Sequence, residues 1–249
     1  MPPTLDWLTA RPIAHRGLHD AEHGVVENTA GAVRAAIALN YGIEVDVQVS
    51  SDGEAMVHHD AELGRLTDGE GRLDAFTAAA LKRVAFRNSS ERMMTLGDLC
   101  DLVGGAVTML VELKSRFDGD GRLPGRVAAV LDSYRGPVAA MSFDPRQLAG
   151  VRQKSPRLVR GILAAKYRPH PYWDLMPAWM RHGMGYLLTA FACAPQFVAY
   201  AVADLPALAP LAARQVFSLP LLTWAVRTEA ERRTAERWAD QMIFEGFRP

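Results

Sequence analysis

Two acidic residues stand two apart in an otherwise apolar run, Ile43-Glu44-Val45-Asp46-Val47. In an extended strand side chains alternate, so Glu44 and Asp46 share one face and Ile43, Val45 and Val47 the other. Carboxylates side by side repel and resist burial, so something positive must hold them. Oxygen donors of this kind suit a hard divalent cation, Mg²⁺ or Ca²⁺. The run Met109 to Lys114 repeats the device, with Glu112 and Lys114 on one face at the end of an apolar approach from Thr108. Glu112 offers a third carboxylate and Lys114 a charge for a phosphate oxygen. The plainer alternative is a Glu–Lys ion pair between neighbouring strands.

Two further clusters add proton chemistry. In Ala14-His15-Arg16-Gly17, the histidine titrates near neutral pH, the arginine fork matches phosphate, and the glycine permits an unusual backbone angle. In Val57-His58-His59-Asp60, adjacent histidines on a strand face opposite ways, so only one can look into a given pocket. Carboxylates for a cation, a basic pair for a phosphate and two imidazoles for protons are the equipment for cleaving a phosphodiester.

Along the chain short apolar runs alternate with helical patterns, which argues for βαβ units and a parallel sheet. The strands are read at Pro12–His15, Ile43–Val47, Thr108–Leu113, Val138–Met141, Val159–Leu163, Phe197–Ala201, Leu221–Val226 and Gln241–Phe244. Helices are read near Thr29–Leu39, Thr95–Leu102, Arg122–Tyr134, Pro145–Gln153, Leu205–Ala213 and Thr228–Trp238. Eight such strands in 249 residues fit one TIM-type (β/α)8 barrel, whose chemistry sits at the carboxyl ends of the strands, better than the alternative of an open doubly wound sheet, which the same pattern allows. The span from about 50 to 102 is too long for one crossover. Its Asp52-Gly53 turn signal predicts a small hairpin and an insertion after the second strand.

The pieces AHRG (14–17), VENT (26–29), GIEVDVQVSSDG (42–53), VHHD (57–60), RLTDGEG (65–71), MTLGDL (94–99), VELK (111–114), MSFDP (141–145) and LTWAV (222–226) resemble, in order, the glycerophosphodiester phosphodiesterase family. The resemblance implies a TIM barrel with a small insertion and one domain over 1–249. It implies metal binding by Glu44, Asp46 and Glu112, and acid–base roles for His15 and His59, which selects His59 over His58. It places Arg16 and Lys114 near the phosphate, Trp224 in the substrate pocket, and Glu27 and Asn28 in support of Arg16 or the metal site. The chain departs from the family pattern at Val26, at Arg227 after TWAV, and at the last strand, where Glu245 is read as standing in for an aspartate.

The implied activity is hydrolysis of glycerophosphodiesters to glycerol 3-phosphate and an alcohol. Rival readings are a phospholipase D-like enzyme acting on lysophospholipids and a non-catalytic barrel kept as a binding protein. The 28 basic and 28 acidic residues cancel without long runs, which argues against nucleic acid as partner. Cys100 and Cys193 show no metal or disulfide spacing. No basic and apolar leader opens the chain, so a cytoplasmic location is expected. Residues Met184 to Ala203 carry no charge; Pro195 and Gln196 in their middle favour a helix end plus a buried strand over a membrane segment, with a weak membrane or lysolipid contact as the other expectation.

Overall fold

The computed structural model describes residues 5–169 and 171–249. Among the described residues nine strands form one sheet: β1 Ile13–Ala14, β2 Gly42–Val49, β3 Ala55–Val57, β4 Met109–Leu113, β5 Val138–Ser142, β6 Val159–Ala164, β7 Phe197–Ala201, β8 Leu221–Val226 and β9 Gln241–Phe244. Their order is β1-β9-β8-β7-β6-β5-β4-β2-β3, and a further β1–β2 pairing closes the ring. All pairings are parallel except β2–β3, so eight strands make the barrel and β3 is a hairpin partner on the end of β2. The helices are α1 Asp6–Thr9, α2 Ala30–Ala38, α3 Ala78–Leu81, α4 Leu96–Val103, α5 Arg122–Ser133, α6 Pro145–Lys154, α7 Pro171–Asp174, α8 Ala178–Met184, α9 Leu208–Gln215 and α10 Glu229–Trp238.

The alternation expected for β2 and β4 decides what the barrel interior holds. Ile43, Val45 and Val47 join Met109, Val111 and Leu113 in the apolar layer beneath the helices, together with Leu96 and Leu99 of α4 and Val127 of α5. Glu44, Asp46 and Glu112 are thereby left on the inner face. Asp46 and Glu112 are paired in register across β2 and β4. Side chains two apart cannot change face without a slip of the whole strand, so outward burial of these six hydrophobic residues fixes the inward carboxylates.

Several motif pieces do their local work as helix starts. Thr95 and Asp98 form a capping box: Thr95 Oγ1 accepts from the Asp98 N–H at 3.1 Å and the Asp98 carboxylate accepts from the Thr95 N–H at 2.9 Å. Such a cap contributes about 1 kcal/mol. Asp144 caps α6 by accepting from the Arg146 N–H at 2.9 Å, with Pro145 at the first helical position. Thr228 and Glu231 make a second capping box on α10.

The segment after β3 has its own small core of Met56, Leu63, Leu73, Leu81, Phe86 and Met93. The helix read at Thr95–Leu102, inside the span assigned to the insertion, is α4 and packs with the barrel helices. The extra segment therefore ends before it. Two other details differ from the sequence reading. The ninth helix starts at Leu208 rather than Leu205, because a 3-10 turn at Val202–Asp204 and Pro206 precede it. Between β6 and β7, where no element was read, lie α7, α8 and a 3-10 turn at Leu188–Ala192. The uncharged stretch from Met184 to Ala203 divides into the end of α8, that turn and β7, and among the described residues no helix is long and apolar enough to cross a membrane.

Candidate active site

A cavity of about 650 Å³ opens at the carboxyl ends of the barrel strands, and its polar side is built first by β1, β2 and β4. One oxygen each from Glu44, Asp46 and Glu112 lies within 4.8 Å of the other two, and all three residues are buried. Asn28 grips the middle one: its Nδ2 donates to Asp46 Oδ2 at 2.9 Å and its Oδ1 accepts from the Asp46 N–H at 3.2 Å. Asn28 is buried with φ 58°, a left-handed conformation that asparagine tolerates better than most residues. The turn after β1 brings the Arg16 N–H to Glu44 Oε2 at 3.0 Å. That turn needs Gly17, with φ 76°, because a Cβ there would lie 2.8 Å from the Ala32 carbonyl carbon.

The charges around this cluster are uneven. The Lys114 ammonium lies 2.8 Å from Asp46 Oδ1 and 2.7 Å from Glu112 Oε1. Arg16 sits 3.4 Å from Asp46 Oδ2 and pairs with Glu27 at 2.7 Å. Burial would raise the Asp46 carboxyl, but Lys114, His59 and Arg16 hold it well below the usual range. Glu44 goes the other way, pushed well above it by burial and by the neighbouring carboxylates of Asp46 and Glu112. Its Oε1 is buried and finds no hydrogen-bond donor among the described residues. A buried oxygen without a donor, in a cluster made only of carboxylates, fits a hard divalent cation, and Glu44, Asp46 and Glu112 are the residues that would hold it.

Each imidazole at the cavity is held through Nδ1 by a carboxylate. His15 Nδ1 is 2.5 Å from Glu245 Oε2, and His59 Nδ1 is 2.7 Å from Asp60 Oδ1. A carboxylate accepting from Nδ1–H fixes the tautomer and leaves Nε2 for proton transfer. Burial lowers the pKa of His15, and the bond to Glu245 opposes that shift. Glu245 is in turn bonded by Arg227 Nε, with His19 Nε2 at 3.5 Å. The two C-terminal departures from the family pattern, Arg227 and Glu245, are thus partners. The neighbouring His58 is buried and lies beside Phe86, whereas His59 lines the cavity.

Arg65 ties the two histidine-bearing loops together. Its guanidinium donates to Asp60 Oδ2 at 2.5 Å and to Glu27 Oε1 at 2.7 Å, and Glu27 also holds Arg16. Asp60 and Arg65 belong to the motif pieces VHHD and RLTDGEG, which by themselves mark no role for either side chain. The signal for Asp60 was its place next to His59; nothing local marked Arg65, whose partners lie 5 and 38 residues away.

The other side of the cavity is apolar and comes from later strands. Met141, Phe143, Leu163, Trp173, Leu175 and Trp224 form it. Trp224 Nε1 donates to the Ala199 carbonyl at 3.0 Å. Its ring meets Phe143 edge-on at 5.4 Å, and Phe143 meets Trp173 at 4.9 Å. Such contacts hold the rings in place and expose their faces and edges to a ligand.

A closed ring of eight parallel strands with its charged side chains gathered at one mouth defines a TIM-barrel protein with a site suited to a phosphorylated ligand. Residues 15–246 match the model of the glycerophosphoryl diester phosphodiesterase family, and the chain belongs to that family. A glycerophosphodiester phosphodiesterase of Caldanaerobacter subterraneus subsp. tengcongensis is 33% identical over 161 residues, which cover 61% of this chain and 65% of that protein. The mouse glycerophosphodiester phosphodiesterase 1 is 28% identical over 173 residues, covering 66% of this chain and 50% of that protein. The matched stretch thus spans between half and two thirds of these relatives' own lengths. The solved structure of an Oleispira antarctica phosphodiesterase in complex with the product sn-glycerol-3-phosphate superposes with a TM-score of 0.73 at 19% identity, covering 96% of this chain and 94% of the other.

Proposed function

We propose that this chain is a metal-dependent phosphodiesterase that hydrolyses glycerophosphodiesters to glycerol 3-phosphate and an alcohol. The observation that carries the reading is the pairing of His15 with Glu245 and His59 with Asp60 around one buried three-carboxylate cluster in one cavity. Family membership and the product named in the Oleispira antarctica structure agree with it.

Glu44, Asp46 and Glu112 would hold Mg²⁺ or Ca²⁺, which when bound would supply Lewis-acid stabilisation of negative charge on the phosphate and acidify a neighbouring hydroxyl. The chain's own residues do the rest. Arg16 and Lys114 offer positive charge to the phosphate oxygens, with Glu27 orienting the Arg16 fork. One imidazole takes the proton of the attacking hydroxyl as the new P–O bond forms. The other gives its proton to the alcohol oxygen as the old P–O bond breaks. The attacking hydroxyl is the substrate's own neighbouring glycerol hydroxyl, giving a cyclic phosphate that water then opens; direct attack by water is the competing route. Trapping the cyclic phosphate selects the first.

A second reading, a phospholipase D-like activity on lysophospholipids, is favoured by one observation: the apolar wall of Met141, Phe143, Leu163, Trp173 and Trp224 is larger than glycerol needs. Incubating the protein with glycerophosphocholine or lysophosphatidylcholine, with and without Mg²⁺, Ca²⁺ and chelator, tests both. Chelator-sensitive release of glycerol 3-phosphate or lysophosphatidic acid supports the reading. No turnover of any phosphodiester, including bis(p-nitrophenyl) phosphate, leaves the non-catalytic alternative.

A further inference from the structure

A second cavity, of about 390 Å³, adjoins the catalytic one and shares Gln48, Lys114 and Arg116 with it. Gln48 stands two residues beyond Asp46 on β2, so it continues the inner face, and its Nε2 donates to the His59 carbonyl at 2.7 Å. The other walls come from elements that the chemistry described above does not use. Arg72 and Asp74 flank Leu73, which is buried in the small core after β3, and that anchor holds both charged neighbours at the cavity. Asp118 and Asp120 lie in the loop between β4 and α5, and Gln147 lies in the first turn of α6.

Gln147 is 3% exposed, yet its Oε1 finds no hydrogen-bond donor among the described residues. Its Nε2 donates to the Asp120 carbonyl at 3.0 Å. A flipped amide would set oxygen against oxygen there, so Oε1 is the atom left to accept. A buried amide oxygen without a donor is costly unless a ligand supplies an N–H or O–H. The rest of the wall is charged but balanced, with Arg72, Arg116 and Arg122 against Asp74, Asp118 and Asp120. Arg72 donates to Asp74 at 2.9 Å and Arg122 to Asp120 at 2.7 Å, and Arg116 lies 3.6 Å from Asp74. Such pairing cancels the net field that would select an ion. It leaves donors and acceptors side by side, because a guanidinium's five N–H groups and a carboxylate's lone pairs exceed what one pair uses. An alcohol hydroxyl both donates and accepts and so matches this wall. A trimethylammonium group does neither.

Glu44 and Glu112 line the first cavity and not the second. A glycerol hydroxyl reacting beside their cation therefore sits in the first cavity, together with the glycerol half of the substrate. Lys114, assigned to the phosphate, stands where the two cavities meet. The other substituent of the phosphate then extends into the second cavity. We infer that this second cavity seats the departing alcohol and favours a polyhydroxylated one, with Gln147 Oε1 accepting from one hydroxyl and Arg116 donating to another. The assignment of the alcohol rests on the phosphodiesterase reading above; the affinity for hydroxyls stands on the cavity itself.

The test compares steady-state kinetics of the full chain, in Mg²⁺ and in Ca²⁺, on glycerophosphoinositol and glycerophosphocholine, which share the glycerol half and differ in the alcohol. The wild type is expected to show the higher kcat/KM on glycerophosphoinositol. Gln147→Met keeps the side-chain length and removes the acceptor. It is expected to lose about 5–10-fold in kcat/KM on glycerophosphoinositol, mostly through KM, and less than about twofold on glycerophosphocholine. Arg116→Met should show the same selective loss at about 2–5-fold. It leaves the contact between Gln147 and Asp120 in place, so it carries the test should Gln147→Met fail to fold. Equal losses on the two substrates, or no loss on either in a folded variant, overturn the proposal. Should the wild type turn over neither compound, calorimetric titration with both separates the two readings. Tighter binding of glycerophosphoinositol that the variant abolishes keeps the hydroxyl seat and removes the catalytic reading. Equal binding of the two compounds, or none, overturns the seat as well.

Discussion

The two sides of the barrel mouth are built on different physical terms. On the β1, β2 and β4 side every functional side chain is polar and held by at least one partner of opposite character: Asn28 on Asp46, Arg16 on Glu27, Glu245 on His15 and Asp60 on His59. On the β5 to β8 side the wall is apolar, and its rings are placed by packing, with Trp224 also donating a hydrogen bond to the backbone. The first side is suited to move protons and stabilise charge. The second can do neither, but it can decide what shape of substituent enters. On the phosphodiesterase reading proposed above, chemistry and selection are separated across one cavity, and substitutions on the two sides should change different kinetic constants.

The sharpest way to break that comparison is to remove an imidazole. His15→Ala or His59→Ala is expected to fold with a nearly unchanged melting temperature and to lose about 10²–10⁴ in kcat, the range for acid–base groups. Glycerol 3-phosphate release at saturating substrate checks it; near-wild-type kcat in either variant would remove that residue from the mechanism.

The adjacent His58 should behave in the opposite manner. Burial pushes it down from 6.5 to about 4. Below pH 6.5 the unfolded chain binds the proton more readily than the folded one. The stability from a neutral His58 is therefore present above that pH and is lost as pH falls toward 4, by up to about 3 kcal/mol. His58→Gln should flatten this acid limb in urea titrations between pH 7 and 4 while leaving kcat largely intact. An unchanged limb would place the destabilising protonation elsewhere.

Support residues come next in size. Asn28→Ala removes both bonds to Asp46 and puts alanine where φ is 58°. Calorimetric titration with Mg²⁺ or Ca²⁺ is expected to show a 10–100-fold loss of affinity, typical of groups that orient metal ligands. The smallest effect is expected on the apolar side. Trp224→Leu should raise KM by about 2–10-fold, more for lysophosphatidylcholine than for glycerophosphocholine, with kcat little changed. A fall in kcat with constant KM would show that the apolar wall takes part in the chemistry and that the division proposed between the two sides is wrong.

The polar side was legible because its signals are local. Period-two alternation in IEVDV and VELK placed the three carboxylates on inner faces, and the register pairing of Asp46 with Glu112 follows from burying Val45 and Val111 outward. Glu245 could be marked because it closes the last strand. Lys114 was expected at the phosphate and lies against Asp46 and Glu112, a contact that depends on two strands being neighbours. The apolar side was hardly legible. Trp224 entered through family resemblance alone, and the helices and turn between β6 and β7 gave no readable period, because the segment's residues divide between barrel core, cavity wall and surface over one or two turns at a time.

By itself the sequence determined the kind of fold and which residue types could do chemistry, because strand alternation, capping pairs and turn glycines act over a few neighbouring residues. Closure of the ring alone decided which of those residues meet. It brings Glu245 to His15 across 230 positions and Arg65 to Glu27 across 38, distances over which no local preference acts.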